Sequence, residues 1–309
     1  MLLRPVHTYS IVARDPETGQ LGVAVQSHYF SVGPVVPWVE AGVGAVATQS
    51  FVEVTYGPLG LEMMRAGKTA RQALDGLLAA DTKTEVRQVA MVDAKGNVAA
   101  HTGEKCIQPA GHRTGEGYSA QANLMRNSTV WDAMAEAYEA AEGDLAERLV
   151  VALEAAEGEG GDIRGKQSAA LLVVTGEPTG RPWSDKLFDL RVDDHPVPLE
   201  ELRRLLRIAR AYRHADIAEN ALVTGSHDEE FAAREFERAV QLLPDIEANP
   251  EPLFWHAVAL ANAKKIDAAL PIFRRVFAAD PSWRDLVPRL VPAGLLADDK
   301  EILRNTEGS

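Results

Sequence analysis

Thr8 opens a strand-turn-strand, TYSIVARDPETGQLGVAVQS, that closes on a second hydroxyl, Ser27, followed by His28. A hydroxyl at the head of such a segment can become a new N-terminal nucleophile if the bond before it is opened, and Ser27 can orient a substrate beside it. The alternative is a β-branched residue starting a strand. Thr48, Gln49 and Ser50 end another apolar run that begins near Gly42 and Gly44, whose backbone N–H groups can stabilise an oxyanion. Further along, EGEGGDIRGKQ combines Asp162, Arg164, Lys166, Gln167 and Ser168 with Gly160, Gly161 and Gly165, which let the backbone turn close to a ligand. Arg164 can grip a carboxylate as a two-donor fork with Asp162 holding the guanidinium, or the two can form a buried pair that shapes the loop. Gln121 and Asn123 alternate on one strand face and can contribute amide hydrogen bonds to the same cavity. His101, Cys106 and His112 fall within a short stretch, but the spacing fits no zinc pattern. We therefore expect His101 and His112 in a polar pocket wall, Cys106 as a structural thiol, and no metal. No glycine-rich phosphate cradle is present, so no cofactor is expected.

These residues need elements to position them. The turn DPETG, with Pro16 and Gly19, separates the two apolar runs of the first hairpin. Residues 32–50 read as two further strands, because Pro34 and Pro37 exclude helix. Between Gly57 and Ala80, apolar residues recur at helical spacing, with a break at Gly67. QVAMVDAKGNVAAHTG repeats the hairpin design. The alanine-rich stretch 128–157 predicts two helices split at Gly143-Asp144, with Asp144 as N-cap. SAALLVV, residues 168–174, is a fully apolar strand. Strands and paired helices in this order predict a four-layer α+β sandwich over residues 1–176.

Pro178, Pro182, Pro196 and Pro198 accompany the charge-dense DLRVDDHP, which predicts a linker at 177–197 and a helical domain at 198–309. There FERAVQLLP and FRRVFAADP align Phe236 with Phe273, Arg238 with Arg275 and Pro244 with Pro281 at a period of 37 residues. The stretch 255–281 resembles one tetratricopeptide unit, with Pro271 unusual inside its second helix. Phe254, Trp255, Phe273 and Trp283 recur as core aromatics. The series Arg203, Arg204, Arg207, Arg210 and Arg213 predicts a solvated or interdomain face.

The chain has 309 residues, 46% of them hydrophobic and 25% charged, with a net charge of −13. That balance disfavours nucleic acid and anionic membranes as partners. A single cysteine cannot form an internal disulfide, MLLRPVH lacks the apolar core of a secretory signal, and no run approaches the ~18 apolar residues of a span. A cytoplasmic location is the expectation.

TYSIVARDPETGQLGVAVQS, AGVGAVATQS, YGPLGLEMMRAG, AGHRTGEGY and GGDIRGKQSAALLVV, in that order over residues 8–175, resemble the family called domain of unknown function 1028, counted among the N-terminal-nucleophile (Ntn) hydrolase folds. The chain departs from the family pattern at Pro109 and Ala122. The resemblance implies an αββα sandwich in which Thr8 matches the N-terminal hydroxyl. In Ntn hydrolases the nucleophile's own α-amine, with a pKa of about 7.7–8, takes the proton, so no histidine is needed. Seven residues precede Thr8, so such activity requires opening the His7–Thr8 bond. The segment from about Asp193 resembles a C-terminal module labelled peptidoglycan binding.

Three functions are consistent with these features. The first is an amidohydrolase acting on a small amide or peptide-like molecule. The second is a non-catalytic binding protein using the same cavity. The third is a homo-oligomeric scaffold whose helical C-terminus recruits a protein or peptidoglycan fragment.

Overall fold

The computed structural model describes residues 6–224, 229–243 and 250–297. It is a mixed α+β protein with two antiparallel sheets and a helical C-terminal region.

The first hairpin joins β1 (Thr8–Arg14) to β2 (Leu21–Ser27). Its turn is organised by Asp15, whose Oδ1 accepts the N–H groups of Glu17 and Thr18 and the Thr18 hydroxyl, while Gly19 supplies φ 71°. A turn of fixed length fixes register. Pairing therefore runs from Arg14 opposite Leu21 down to Thr8 opposite Ser27.

The remaining strands of this unit are β3 (Pro37–Glu40), β4 (Gly44–Ser50), β5 (Arg87–Asp93), β6 (Val98–Thr102), β7 (Gly111–Gly115), β8 (Tyr118–Ala122), β9 (Ser168–Val174) and β10 (Lys186–Val192). One sheet has the order β10-β9-β2-β1-β8-β7 and the other β3-β4-β5-β6. Alternation along the strands explains why the sheets face each other. Val12, Leu21, Val23 and Val25 meet Ala45, Ala47, Ala90 and Val92 in one buried cluster. The intervening residues Val46, Val89 and Met91 point the other way, into a cluster with α1 (Tyr56–Arg65) and α2 (Ala70–Ala80). On the six-stranded sheet, α4 (Leu145–Gly158) packs against β1 and β2, and α3 (Val130–Ala140) against β7 and β8.

Local signals account for the helix boundaries. Thr69 and Gln72 form a reciprocal capping box at α2, Gly67 breaks the chain before it at φ 86°, and Asp144 accepts the Glu147 N–H at the start of α4. Gly57 lies in the first turn of α1, where an added Cβ would overlap the Trp38 ring of β3.

Residues 177–197, read from composition as a linker, contain β10, which pairs with β9. The prolines flank this strand rather than interrupt it. The chain divides into two compact units at Arg204/Leu205, within α5 (Pro198–Thr224). Arg203 belongs to the first unit, where it bonds Glu147 and Glu154 of α4.

The second unit continues α5 and adds α6 (Glu229–Leu242), α7 (Glu251–Asn262), α8 (Ile266–Ala279) and α9 (Ser282–Leu290). Phe236 and Phe273, aligned by the 37-residue period, are both buried; Pro244 lies outside the described residues. Pro271 is inside α8. Phe254 packs edge-on against Trp255 and Phe273 and tilts against Trp283, so the aromatics expected in a core are in one. Among the described residues, no helix is long and apolar enough to cross a membrane.

Gly57→Ala is expected to destabilise the first unit by about 1–3 kcal/mol, because the methyl must displace a packed indole. Denaturant unfolding of the variant against the parent checks this.

Candidate functional site

The head of β1 is buried, and both the side chain and the carbonyl of Thr8 are held. Register places the Thr8 hydroxyl 3.0 Å from Ser27 Oγ, and the same hydroxyl lies 3.0 Å from the Val6 carbonyl. The Thr8 carbonyl accepts from Asn123 N–H (3.1 Å), Gln49 Nε2 (3.1 Å) and Asn123 Nδ2 (3.4 Å). The bond on its amino side is gripped as well. Ser27 Oγ donates to the His7 carbonyl at 2.5 Å and Arg164 donates to that oxygen at 2.8 Å. A chain of donors thus runs from Thr8 through Ser27 to the oxygen of the preceding peptide.

Arg164 reaches this oxygen because Asp162 holds it. Asp162 Oδ1 accepts the Arg164 backbone N–H (2.9 Å) and Nε (3.0 Å), and Oδ2 accepts the terminal nitrogen at 2.6 Å. The Asp162 side chain is fully buried. The Gly165 N–H bonds the Asp162 carbonyl at 2.9 Å and closes the turn that carries Arg164, and Gly165 leaves that turn at φ 107°. Of the two sequence readings of this loop, the buried pair that shapes it is present; the guanidinium edge expected to fork a carboxylate is taken up by Asp162, and its terminal nitrogen also bonds the His7 carbonyl.

Below Thr8, amides cross between the sheets. Gln49 of β4 donates to Gln88 Oε1 at 2.7 Å and accepts from Ser10 at 2.6 Å; Gln121 of β8 donates to Ser10 at 2.7 Å. Gln88 of β5 accepts from Asn123 at 2.8 Å, and its two amide protons are shared among Thr102 Oγ1 and the carbonyls of Ala122 and Gly111, all within 3.1 Å of Nε2. Ser10, Gln49 and Gln88 occupy inward strand positions that farther along β1, β4 and β5 are taken by Val12, Ala47, Ala90 and Val92, and Asn123 follows directly after β8.

His7 closes the cluster. Its ring is buried, contacts Phe51 edge-on, and bonds Asn123 Oδ1 through Nδ1 at 2.7 Å. Since the Asn123 amide nitrogen is committed to Thr8 and Gln88, its oxygen is the acceptor and Nδ1 carries the proton. Burial holds the His7 pKa below its usual 6.5, and this outweighs the Asn123 hydrogen bond.

Thr8, Ser27, Gln49, Gln121, Asn123, Asp162 and Arg164 therefore come together. Ser168 adjoins them, opposite Ser27 on β9, and the Gln167 N–H bonds the Ser27 carbonyl, whereas the two histidines stand apart. His101 faces outward and bonds the Thr84 carbonyl. His112 contacts the network only through Thr102, at its far edge. The side chains of these two neighbours of Ser27 also fasten loops, Gln167 bonding Asp194 and Ser168 bonding the Tyr29 carbonyl and the Val32 N–H. Gly42 and Gly44 sit at the opposite end of β4, about 17 Å from Gln49 for an extended strand, so they supply no oxyanion donor here. Burial raises the Cys106 thiol, whose sulfur bonds the Arg87 carbonyl. Among the described residues, no group of three or more His, Cys, Asp or Glu is placed to hold a metal.

Sequence reading missed Ser10, Gln88, Thr102 and His7. Their signal is phase: each of the three strand residues lies on the inward face, which shows only once partner strands are known.

A separate groove of about 700 Å³ opens between β3 and β10. Charged groups along it are paired with one another, Glu40 with Arg65 and Asp189 with Lys186 and Arg191. None of the Thr8 cluster lines it.

The model of the Family of unknown function (DUF1028) matches residues 8–202, beginning at the threonine that heads β1. The chain belongs to this family. The crystal structure of a Silicibacter pomeroyi protein carrying the same DUF1028 family model is 33% identical to it, with a TM-score of 0.58 over 65% of this chain and 88% of that one. No curated protein matches. DUF1028 membership thus covers the two-sheet unit, and the helical region lies beyond the match.

Two measurements probe this site. Gln88→Leu leaves several buried partners without a hydrogen bond and is expected to cost at least about 2–4 kcal/mol by denaturant unfolding. Because His7 is held neutral in the folded chain, the unfolded state takes up its proton first as pH falls. Its contribution is complete above pH 6.5 and is lost as pH drops below that value toward the lowered native pKa. His7→Asn should flatten the fall in melting temperature over that window.

Proposed function

We propose that the first unit is an Ntn-type amidohydrolase: a four-layer αββα sandwich in which Thr8 is the nucleophile of amide cleavage once the His7–Thr8 bond is opened. The observation that carries this reading is the grip on the His7 carbonyl by Ser27 and Arg164 with the Thr8 hydroxyl hydrogen-bonded to Ser27.

The opening step follows from that geometry. Thr8 Oγ1 forms a bond to the His7 carbonyl carbon, its proton passing through Ser27 toward the carbonyl oxygen, while Arg164 stabilises the charge developing there. The carbonyl then re-forms as the carbon–nitrogen bond breaks, the proton relayed through Ser27 passing on to the departing Thr8 nitrogen, and the His7 acyl group remains as an ester on Thr8. Water hydrolyses the ester to a carboxylate and frees the threonine hydroxyl and amine. In later turnovers the neutral amine removes the hydroxyl proton, and Ser27 and Arg164 hold the substrate carbonyl as they hold that of His7. The Thr8 carbonyl, bonded by three donors, fixes the nucleophile's backbone through both stages.

For the second unit we propose a short tetratricopeptide-like stack that binds a protein or peptide partner. Its buried aromatic core and its 37-residue period support that reading.

Intact-mass measurement of the untagged chain tests the catalytic reading. The expected result is loss of the segment ending at His7, with Thr8→Ala retaining it and showing no hydrolysis of amide substrates. A wild-type chain that keeps the segment indefinitely supports a non-catalytic binding role for the same site.

A further inference from the structure

We propose that Val6 and His7 occupy the acyl-side subsites of the cleft, which makes the substrate an N-acylated residue with a compact side chain carrying one hydrogen-bond donor, cleaved at its own carbonyl. This rests on Thr8 being the nucleophile. If Thr8 attacks the His7 carbonyl, whatever holds Val6 and His7 before the attack is also what an incoming acyl group meets afterwards.

Three features of that surrounding read chemistry. The His7 ring meets Asn123 Oδ1, an oxygen left as an acceptor because the amide nitrogen is spent on Thr8 and Gln88. A donor is matched there; a carboxylate would face a lone pair, and an aliphatic side chain would leave a buried acceptor empty. The ring is 2% exposed and Phe51 stands against it at 6.2 Å between ring centres, so bulk is limited to about a five-membered ring or a carboxamide. The residue before it is read through its backbone. Val6 donates to the Ser50 carbonyl at 2.7 Å and accepts from the Ser50 N–H at 2.9 Å, and its side chain joins the apolar core between the sheets. Ser50 holds φ 69°, a left-handed conformation that costs a serine energy, where its backbone pairs with Val6. A free α-amine at the His7 position would lose both of these bonds, so the site selects acylated residues over free amino acid amides.

The test uses the full chain. Release of the segment ending at His7 is followed by intact mass for the wild type, His7→Asn, His7→Leu and His7→Glu, with thermal unfolding confirming that each is folded. Asparagine places Nδ2 where the imidazole has Nδ1, and its release rate should stay within about threefold of wild type, whereas leucine and glutamate should slow release by more than about tenfold. In trans, the released chain should hydrolyse the terminal amide of acetyl-Val-His-NH2 with a kcat/KM at least about tenfold above those for acetyl-Val-Leu-NH2 and His-NH2. Equal release rates across the four chains, or equal kcat/KM for the three amides, overturn the subsite assignment and leave Thr8 standing as nucleophile. No release by wild type and no hydrolysis of any amide overturn the catalytic reading itself.

Discussion

The first unit depends on amides that cross between its two sheets. At one end of the interface the sheets meet through valine and alanine, which tolerate small slides. At the other they meet through Gln49, Gln88 and Asn123, which reach across to Ser10, the Thr8 and Ala122 carbonyls and one another, so a displacement of one residue would strand several buried donors and acceptors. Buried polar groups are costly unless fully partnered, so this network specifies one relative placement of the sheets, and apolar packing supplies the stabilisation. The Thr8 carbonyl is a node of the same network.

The placement of the Thr8 peptide and the specificity of the fold are consequently one construction. The turn at Asp15 sets the register that brings Thr8 to Ser27, and the crossing amides set the height of β1 relative to β4. The glycine-rich loop is a third, separate support, tied down by Asp162 and by the bridge between Met125 and Asp162. Three independent supports around one peptide bond leave its carbonyl little freedom, and this is what pre-organisation requires.

Much of this was legible in the sequence, wherever a short-range rule governs. Turn residues between apolar runs found the β1–β2 and β5–β6 hairpins but not β7–β8, Asp144 and Gly67 marked helix ends, and the pairing of Asp162 with Arg164 followed from charge and glycine content. Failures came where the governing contact is remote. β10 escaped because composition averages over the flanking prolines and hides a seven-residue strand. Gly42 and Gly44 are near Gln49 along the chain, but an extended strand turns closeness in number into distance in space. Gln88, with partners on four other strands, looked like any isolated glutamine. Gln167 and Ser168 do adjoin Ser27 through strand pairing, while their side chains bond Asp194, Tyr29 and Val32, partners that adjacency in sequence does not show.

β10 closes one side of the six-stranded sheet with a register shift between Lys186 and Phe188, and Lys186, Asp189 and Arg191 share a face beyond it. A terminal strand with open amides is ordinarily a template on which foreign strands can grow. Here a newcomer would have to match an irregular ladder and strip water from linked charges. Resistance to fibrous self-association is thus written into the outermost strand, in a stretch whose composition resembles a tether.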